Sequence, residues 1–300
     1  MERRSPMIAA MKLPNAPADG AVKPQLVPGE PVEVTDGVVR LVAPNAGIMT
    51  GPGTNTYLLG DRELAVLDPG PDDARHLQAI LRAAAALIRW IVVTHTHPDH
   101  SPLAVALAKR TGAQMIGLAP PADGRQDASF APARLPRDGE CLALGDLRLT
   151  AIATPGHASN CVCYLLHEAR LLFTGDHVLD GVSPVILPPD GSMAAYLASL
   201  EKLAGYEYER IAPGHGHILE RGKQVVSSLR AHRLAREAKV LRSMAACGAA
   251  TLELLTPQVY DDVAKDRHQW AKLTLEAHLI KLADEGRVSL RDGNWSLVPE

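Results

Sequence analysis

The stretch Thr94-His95-Thr96-His97-Pro98-Asp99-His100 brings three imidazoles and a carboxylate into six residues. A lone histidine needs no special explanation. Four donors this dense, directly after the apolar run Ile91-Val92-Val93, are costly to desolvate unless a cation compensates them. Imidazole and carboxylate together suit Zn, Fe, Ni or Mn better than Ca or Mg. Further donors follow candidate strands: His157 in Thr154-Pro155-Gly156-His157, Asp176 in Phe173-Thr174-Gly175-Asp176, and His215 in Ala212-Pro213-Gly214-His215. A glycine precedes each, which lets the backbone turn sharply and bring the next side chain inward. His95, His97, Asp99, His100, His157, Asp176 and His215 are together enough for two divalent ions, about 3.5–4 Å apart and bridged by a carboxylate and a water. Zinc is the ion expected. Such a pair makes hydroxide available near neutral pH for attack on a phosphoryl or acyl group.

Other candidate groups take plainer readings. His177 and His217 neighbour presumptive ligands in sequence and would point elsewhere if those ligands face the metal. His76, His167, His232, His268 and His278 have no companion cluster and read as ordinary surface or helix residues. Ser159 and Asn160 read as a hydrogen-bonded turn. No GxSxG, Walker or GxGxxG pattern occurs, so serine-nucleophile, nucleotide and dinucleotide readings lose their support.

The elements that must carry these residues alternate between strand and helix. Strands are expected at Val38–Val42, Thr56–Leu59, Leu64–Leu67 and Ile91–Val93, with a helix over 72–88 and another over Pro102–Arg110. Then come strands at Met115–Leu118 and Leu147–Ala153, a hairpin of Cys161–Leu166 with Arg170–Phe173, a helix over 193–204, and a strand at Arg210–Ala212. The ligand-bearing loops thus all follow strand ends and would converge on one edge of a sheet. After 220 the texture changes to helices over 223–247, Thr251–Tyr260 and His268–Ala283, the last with Ala271, Leu275, Leu279 and Leu282 on one stripe. Arg287–Leu290 and Trp295–Val298 flank the hairpin turn Asp292-Gly293. Three helices and a β-hairpin suggest a winged helix-turn-helix, and a purely structural helical cap fits equally well. The division expected is an N-terminal arm at 1–30, a catalytic domain at 31–220 and a C-terminal domain at 221–300.

The 300-residue chain is 46% hydrophobic and 22% charged, which is globular composition and excludes a disordered or fibrous chain. Aromatics are 4%, so the core must be aliphatic. No apolar run approaches the roughly 20 residues of a membrane span. The formal charge of −3 does not mark a strongly basic nucleic-acid binder. It is unevenly spread: residues 221–300 hold 13 Lys and Arg against 10 Asp and Glu. That mildly basic tail is weak support for a polyanionic partner. Cys141, Cys161, Cys163 and Cys247 lack usual zinc spacing and read as buried or free thiols in a reducing compartment. With no apolar secretion segment recognised, a cytoplasmic location is expected. Oligomeric state is not legible.

In this order, THTHPDH, TPGH, TGD and PGHG resemble the metallo-β-lactamase-fold hydrolases over about residues 35–220. The resemblance implies a four-layer αββα sandwich with the metals at one edge. Carried over residue by residue, His95, His97 and His157 match the first metal site. Asp99, His100 and His215 match the second, and Asp176 matches the bridging carboxylate. Asp99 and Asp176 would hold and orient the bridging hydroxide. Asp68, in Leu67-Asp68-Pro69-Gly70, matches a supporting aspartate. The most familiar true β-lactamases place Cys where this chain has Asp176; the Asp pattern is similar to ribonucleases, glyoxalase-II-type thioesterases and lactonases. GTNTYLLG at 53–60, HPDHSPLA at 97–104, TGDHVLDG at 175–182 and HQWAKLTLEAHLIKLADEGRV at 268–288 look like the β-lactamase-like protein 2 branch. Animal members of that branch are single-strand-selective endoribonucleases. The resemblance therefore implies an endoribonuclease acting on single-stranded RNA through a metal-bridging hydroxide, with the tail contacting the backbone. The alternative is a small-molecule thioesterase or lactonase with the same metals. A nucleic-acid-binding regulator would not need all seven ligands. The sandwich alone supplies those seven, so the tail is expected to be dispensable for metal binding if the remainder folds.

Overall fold

A computed structural model describes residues 23–299. Most of the expected arm, residues 1–22, lies outside the described residues. Two sheets stack face to face. The first runs β1 (Val32–Thr35), β2 (Val38–Val42), β3 (Asn55–Leu59), β4 (Glu63–Leu67), β5 (Leu87–Val92) and β6 (Gln114–Ile116), in that order across the sheet. Strands β1 to β4 are antiparallel; β5 and β6 join in parallel through helices α1 (Ala74–Ala83) and α2 (Leu103–Thr111). The second sheet contains β7 (Cys141–Leu144), β8 (Leu147–Ala153), β9 (Val162–Leu166), β10 (Leu171–Gly175) and β11 (Arg210–Pro213), with β11 at one edge and β7 at the other. Helix α3 (Met193–Ala204) connects β10 to its parallel neighbour β11.

Strand alternation decides which core each residue enters. Tyr57, Leu59, Leu67 and Val92 from the first sheet meet Leu149, Ala151, Tyr164 and Phe173 from the second. Tyr57 and Phe173 pack edge to face with centroids 5.0 Å apart. Leu58, Val66 and Ile91 face outward onto Ile80 of α1 and Leu103 and Leu107 of α2. Ile152, Cys163, Leu165 and Leu172 face outward onto α3 and onto Val225, Val226 and Leu229 of α4 (Gly222–Cys247). Both faces of both sheets are therefore covered, which is the four-layer αββα arrangement expected.

Helix α4 goes further. Its second half contributes Val240 and Met244 to a separate core with α5 (Leu252–Val259), α6 (His268–Asp284) and the hairpin β12 (Val288–Arg291) and β13 (Asn294–Leu297). The expected stripe Ala271, Leu275, Leu279 and Leu282 is buried there. Asp292 and Gly293 make the two-residue turn with positive φ at both positions, as a type I′ hairpin requires.

Two sequence expectations change. The helix over 72–88 ends at Ala83, because Leu87–Val92 is drawn into parallel pairing with β4. The alanine run at 83–86 has good intrinsic helix propensity, and the sheet overrides it. Strands β1 and β7, four residues each, were not among the strands expected.

Candidate metal centre

Each ligand candidate leaves a strand at the same edge of the sandwich. Residues His95–His100 follow β5, His157 follows β8, Asp176 follows β10, and His215 follows β11. The seven side chains converge as the sequence expected. His95 Nε2 and His157 Nε2 each lie 3.0 Å from His97 Nδ1, a group of three nitrogens able to hold one ion. His215 Nε2 is 3.1 Å from Asp99 Oδ2, and His100 Nε2 is 3.4 Å from the same oxygen, a second such group. Asp176 sits between them: Oδ1 is 3.3 Å from both His100 Nε2 and His215 Nε2, and Oδ2 is 3.7 Å from His157 Nε2.

In His95, His100, His157 and His215 the nitrogen facing away from the cluster is tied down, which fixes the tautomer. His95 Nδ1 donates to Thr94 Oγ1, and that hydroxyl donates to Asp68 Oδ2. His100 Nδ1 donates to Asp68 Oδ2 at 2.9 Å, His157 Nδ1 to the Val185 carbonyl at 2.8 Å, and His215 Nδ1 to the Gly53 carbonyl at 3.2 Å. Asp68 also accepts the Thr94 N–H at 2.7 Å, so one buried carboxylate organises two ligands and the loop between them. Its φ of +49° is a left-handed conformation that a non-glycine residue adopts rarely and at a functional position.

The donor chemistry fits divalent metal. His100 Nε2 and Asp176 Oδ1 are buried and, among the described residues, lack a hydrogen-bond partner. Without a cation, protons take its place. Burial pushes His100 and His215 down, but Asp99 and Asp176 outweigh it, raising His100 well above its usual range and His215 to about 10. Burial and the adjacent imidazoles drive His97 down to about 3. Burial would raise Asp99, yet the His100 and His215 cations bring it to about 2.

Glycine is sterically required at two ligand-bearing turns. A Cβ on Gly175, at φ +48°, would stand 2.3 Å from Thr94 Oγ1. One on Gly214 would stand 2.5 Å from Asp176 Oδ1 and 2.7 Å from His100 Cε1. Gly214 has no left-handed strain, so Gly214→Ala tests crowding alone. It should weaken metal affinity about tenfold, the scale of disturbed ligand support. Competition with a chromogenic chelator reads this, and unchanged affinity would contradict the packing.

His177 is fully buried and its ring stacks 4.7 Å from Tyr196, away from the ligands. His217 is half-buried, and its N–H donates to Asp180. Among the described residues, neither joins the groups of donors able to hold an ion. His76 and His278 do lie on helices, but they are buried rather than on the surface. The His76 ring bonds Thr56 Oγ1, whose hydroxyl donates to the Asp68 carbonyl, so it braces the supporting aspartate. Asn160 does more than close a turn: its amide reaches Thr96 Oγ1 at 2.6 Å.

A cavity of about 160 Å³ opens beside the cluster. Its apolar wall is Met49, Val185, Leu187, Trp270 and Leu273; Asp123, Arg125, Asp190 and five of the ligand candidates also line it. Trp270 and Leu273 belong to α6, more than fifty residues past the last ligand, and sequence reasoning missed them. No periodic signal separates a pocket-lining face of a short helix from its core face.

Residues 49–215 match the metallo-β-lactamase superfamily, and residues 251–295 match the β-lactamase-associated winged-helix domain. A β-lactamase-like protein 2 homolog from Caenorhabditis elegans is 30% identical, over 80% of this chain and 82% of that one. The thioesterase pkgB of Emericella nidulans is 31% identical, over 73% of this chain and 64% of its own length. Among solved structures, a β-lactamase domain protein from Burkholderia ambifaria superimposes with a TM-score of 0.77 at 20% identity, covering 96% of this chain and 97% of that one.

Proposed function

The chain belongs to the metallo-β-lactamase superfamily of hydrolases, and from that premise we propose that it is a dinuclear zinc hydrolase acting on a small-molecule thioester or ester. His95, His97 and His157 would hold one ion, Asp99, His100 and His215 the other, with Asp176 between them. Bound zinc would polarise the scissile carbonyl and make a water acidic enough to attack near neutral pH. Asp99 and Asp176 would accept hydrogen bonds from that water and fix its direction. Thr54 Oγ1, which donates to Asp99 Oδ2 at 3.1 Å, holds that carboxylate in place. The carbonyl-bearing group would lie against Trp270, Leu273 and Met49, which exclude water from it.

The observation that carries this reading is the pocket wall. An apolar surface whose charged lining outside the ligand set is, among the described residues, Asp123, Asp190 and Arg125 suits an acyl group better than a polyanion. The pkgB thioesterase relative supports the same class. Single-stranded RNA is the second reading, favoured by the winged-helix match at 251–295. Against it, about half of the basic tail is already paired. Lys223 and Arg230 pair with Glu207 and Glu201 of the sandwich, and Arg236, Lys239, Lys272 and Lys281 with acids of the tail itself, which reduces the charge free for phosphates. We place the protein in the cytoplasm, because Cys141 and Cys247 are exposed free thiols. Among the described residues, no helix is long and apolar enough to cross a membrane.

Zinc-loaded protein should hydrolyse a benzoyl thioester, followed by thiol release, and lose that activity on chelation. Trp270→Ala should raise KM for this substrate about tenfold, the equivalent of one partly buried aromatic contact, with a smaller change in kcat. Rapid cleavage of a fluorescent single-stranded RNA with the thioester untouched would reverse the order of the two readings.

A further inference from the structure

The peptide unit joining Val185 to Ile186 is held at both ends. Its carbonyl accepts from His157 Nδ1 at 2.8 Å. Its N–H donates to Thr274 Oγ1 on α6 at 3.3 Å. A peptide is planar, so fixing the direction of the N–H also fixes the direction of the C=O. The next peptide back is held too, because Arg233 on α4 donates to the Pro184 carbonyl. Thr274 and Arg233 are both buried, and the Ile186 side chain is locked in the core beneath α3 and α4.

We propose that Thr274 is a positioning residue for His157, acting from the C-terminal helical unit through one backbone peptide on the catalytic edge. The inference rests on reading His157 as a metal ligand. With the carbonyl fixed, the His157 ring keeps Nδ1 protonated and presents the Nε2 lone pair to the cluster, 3.0 Å from His97 Nδ1. The Thr274 hydroxyl also polarises that peptide, which strengthens the carbonyl as an acceptor and makes the imidazole a better donor to a cation. Arg233 limits the alternatives open to the segment, since rotating the Val185–Ile186 peptide would drag Pro184 away from the guanidinium. Arg233 lies 5.3 Å over the Tyr196 ring, and the Tyr196 hydroxyl donates to the His177 carbonyl, next to Asp176. The same helical unit thus braces two ligand-bearing segments.

The test is a cobalt(II) titration of the full-length apoprotein, read by the visible d–d bands and by competition with a chelator. Thr274→Val keeps the side-chain shape and removes the acceptor. It should weaken cobalt binding about tenfold and change the band shape, on the scale known for outer-shell partners of ligating histidines. Thr274→Ser restores the hydroxyl and should restore both readouts. Leu282→Ala destabilises the C-terminal core without touching the peptide, so it should lower thermal stability and leave the bands alone. If Thr274→Val does not fold, Thr274→Ala carries the same expectation. The proposal fails if the bands and affinity of the Thr274 variants match the wild type, if Ser shares the Val defect, or if Leu282→Ala shifts the bands equally. His157→Ala separates the layers: it should remove one cobalt equivalent. Unchanged cobalt binding there would overturn both the ligand reading and the role of Thr274. Loss there beside unaffected Thr274 variants would overturn the role alone.

Discussion

Asp176→Ala will remove both metal ions and reduce hydrolysis by about a thousandfold or more. The size follows from what bound metal supplies, several kcal/mol of charge stabilisation and an acidic water, at 1.36 kcal/mol per tenfold. Asp176 faces both halves of the cluster, at 3.3 Å from His100 and His215 and 3.7 Å from His157. Deleting it removes the negative charge shared by two cations that would then repel across a buried site. Its sequence neighbour supplies the control. His177 points into the Tyr196 layer, and among the described residues neither ring nitrogen has a hydrogen-bond partner, so His177→Ala should cost stability and leave metal content near normal. Elemental analysis after dialysis reads both variants. If His177→Ala strips metal as thoroughly as Asp176→Ala, the bridging role is assigned to the wrong residue.

Removal of residues 221–300 will yield a chain that does not fold cooperatively. The sequence suggested that the sandwich, holding all seven ligand candidates, would bind metal without its tail if it stayed folded. The structure gives α4 the task of covering the second sheet. Val225, Val226 and Leu229 close the layer over Ile152, Leu165 and Leu172. Burying each such side chain contributes about 1.5–3 kcal/mol, so their joint loss approaches the whole 5–15 kcal/mol typical of a domain. The truncated chain should show a broad thermal transition by circular dichroism and bind a hydrophobic dye. A sharp transition with full metal content would show that the sandwich suffices without α4. Stopping instead after Gly248 keeps α4 and isolates the loss of Trp270 and Thr274 from the loss of the fold.

The ligand cluster was legible because metal chemistry concentrates donors within loops: His95, His97, Asp99 and His100 announce themselves by density alone. His157, Asp176 and His215 were legible because each follows a glycine at a strand end. Most strands were legible from alternation, down to the hairpin at Asp292-Gly293, whereas the four layers were implied only by the family resemblance. What stayed hidden depends on tertiary contact. His76 is a lone histidine on a helix until the fold sets it against Thr56 and Asp68. Trp270 and Thr274 sit on a helix whose apolar stripe correctly predicted a core, and nothing in that stripe says that the flanking positions meet a distant loop. The ends of β5 were hidden for a different reason: the alanines before it prefer helix, and pairing with β4 decided otherwise.

Helix α4 sets a rotational phase. Its 26 residues form a rod about 39 Å long that belongs half to the sandwich and half to the C-terminal core. The segments matching the two domain families end at 215 and resume at 251, so this rod is their whole connection apart from a few residues. Adding or removing one residue between Leu229 and Val240 would turn everything beyond it by about 100°. Trp270 would then swing away from the pocket and Thr274 from its peptide, although every ligand stayed in place. Length changes in this helix should therefore be far less tolerable than substitutions on its exposed face, and lineages that vary its length would have to do so in whole turns.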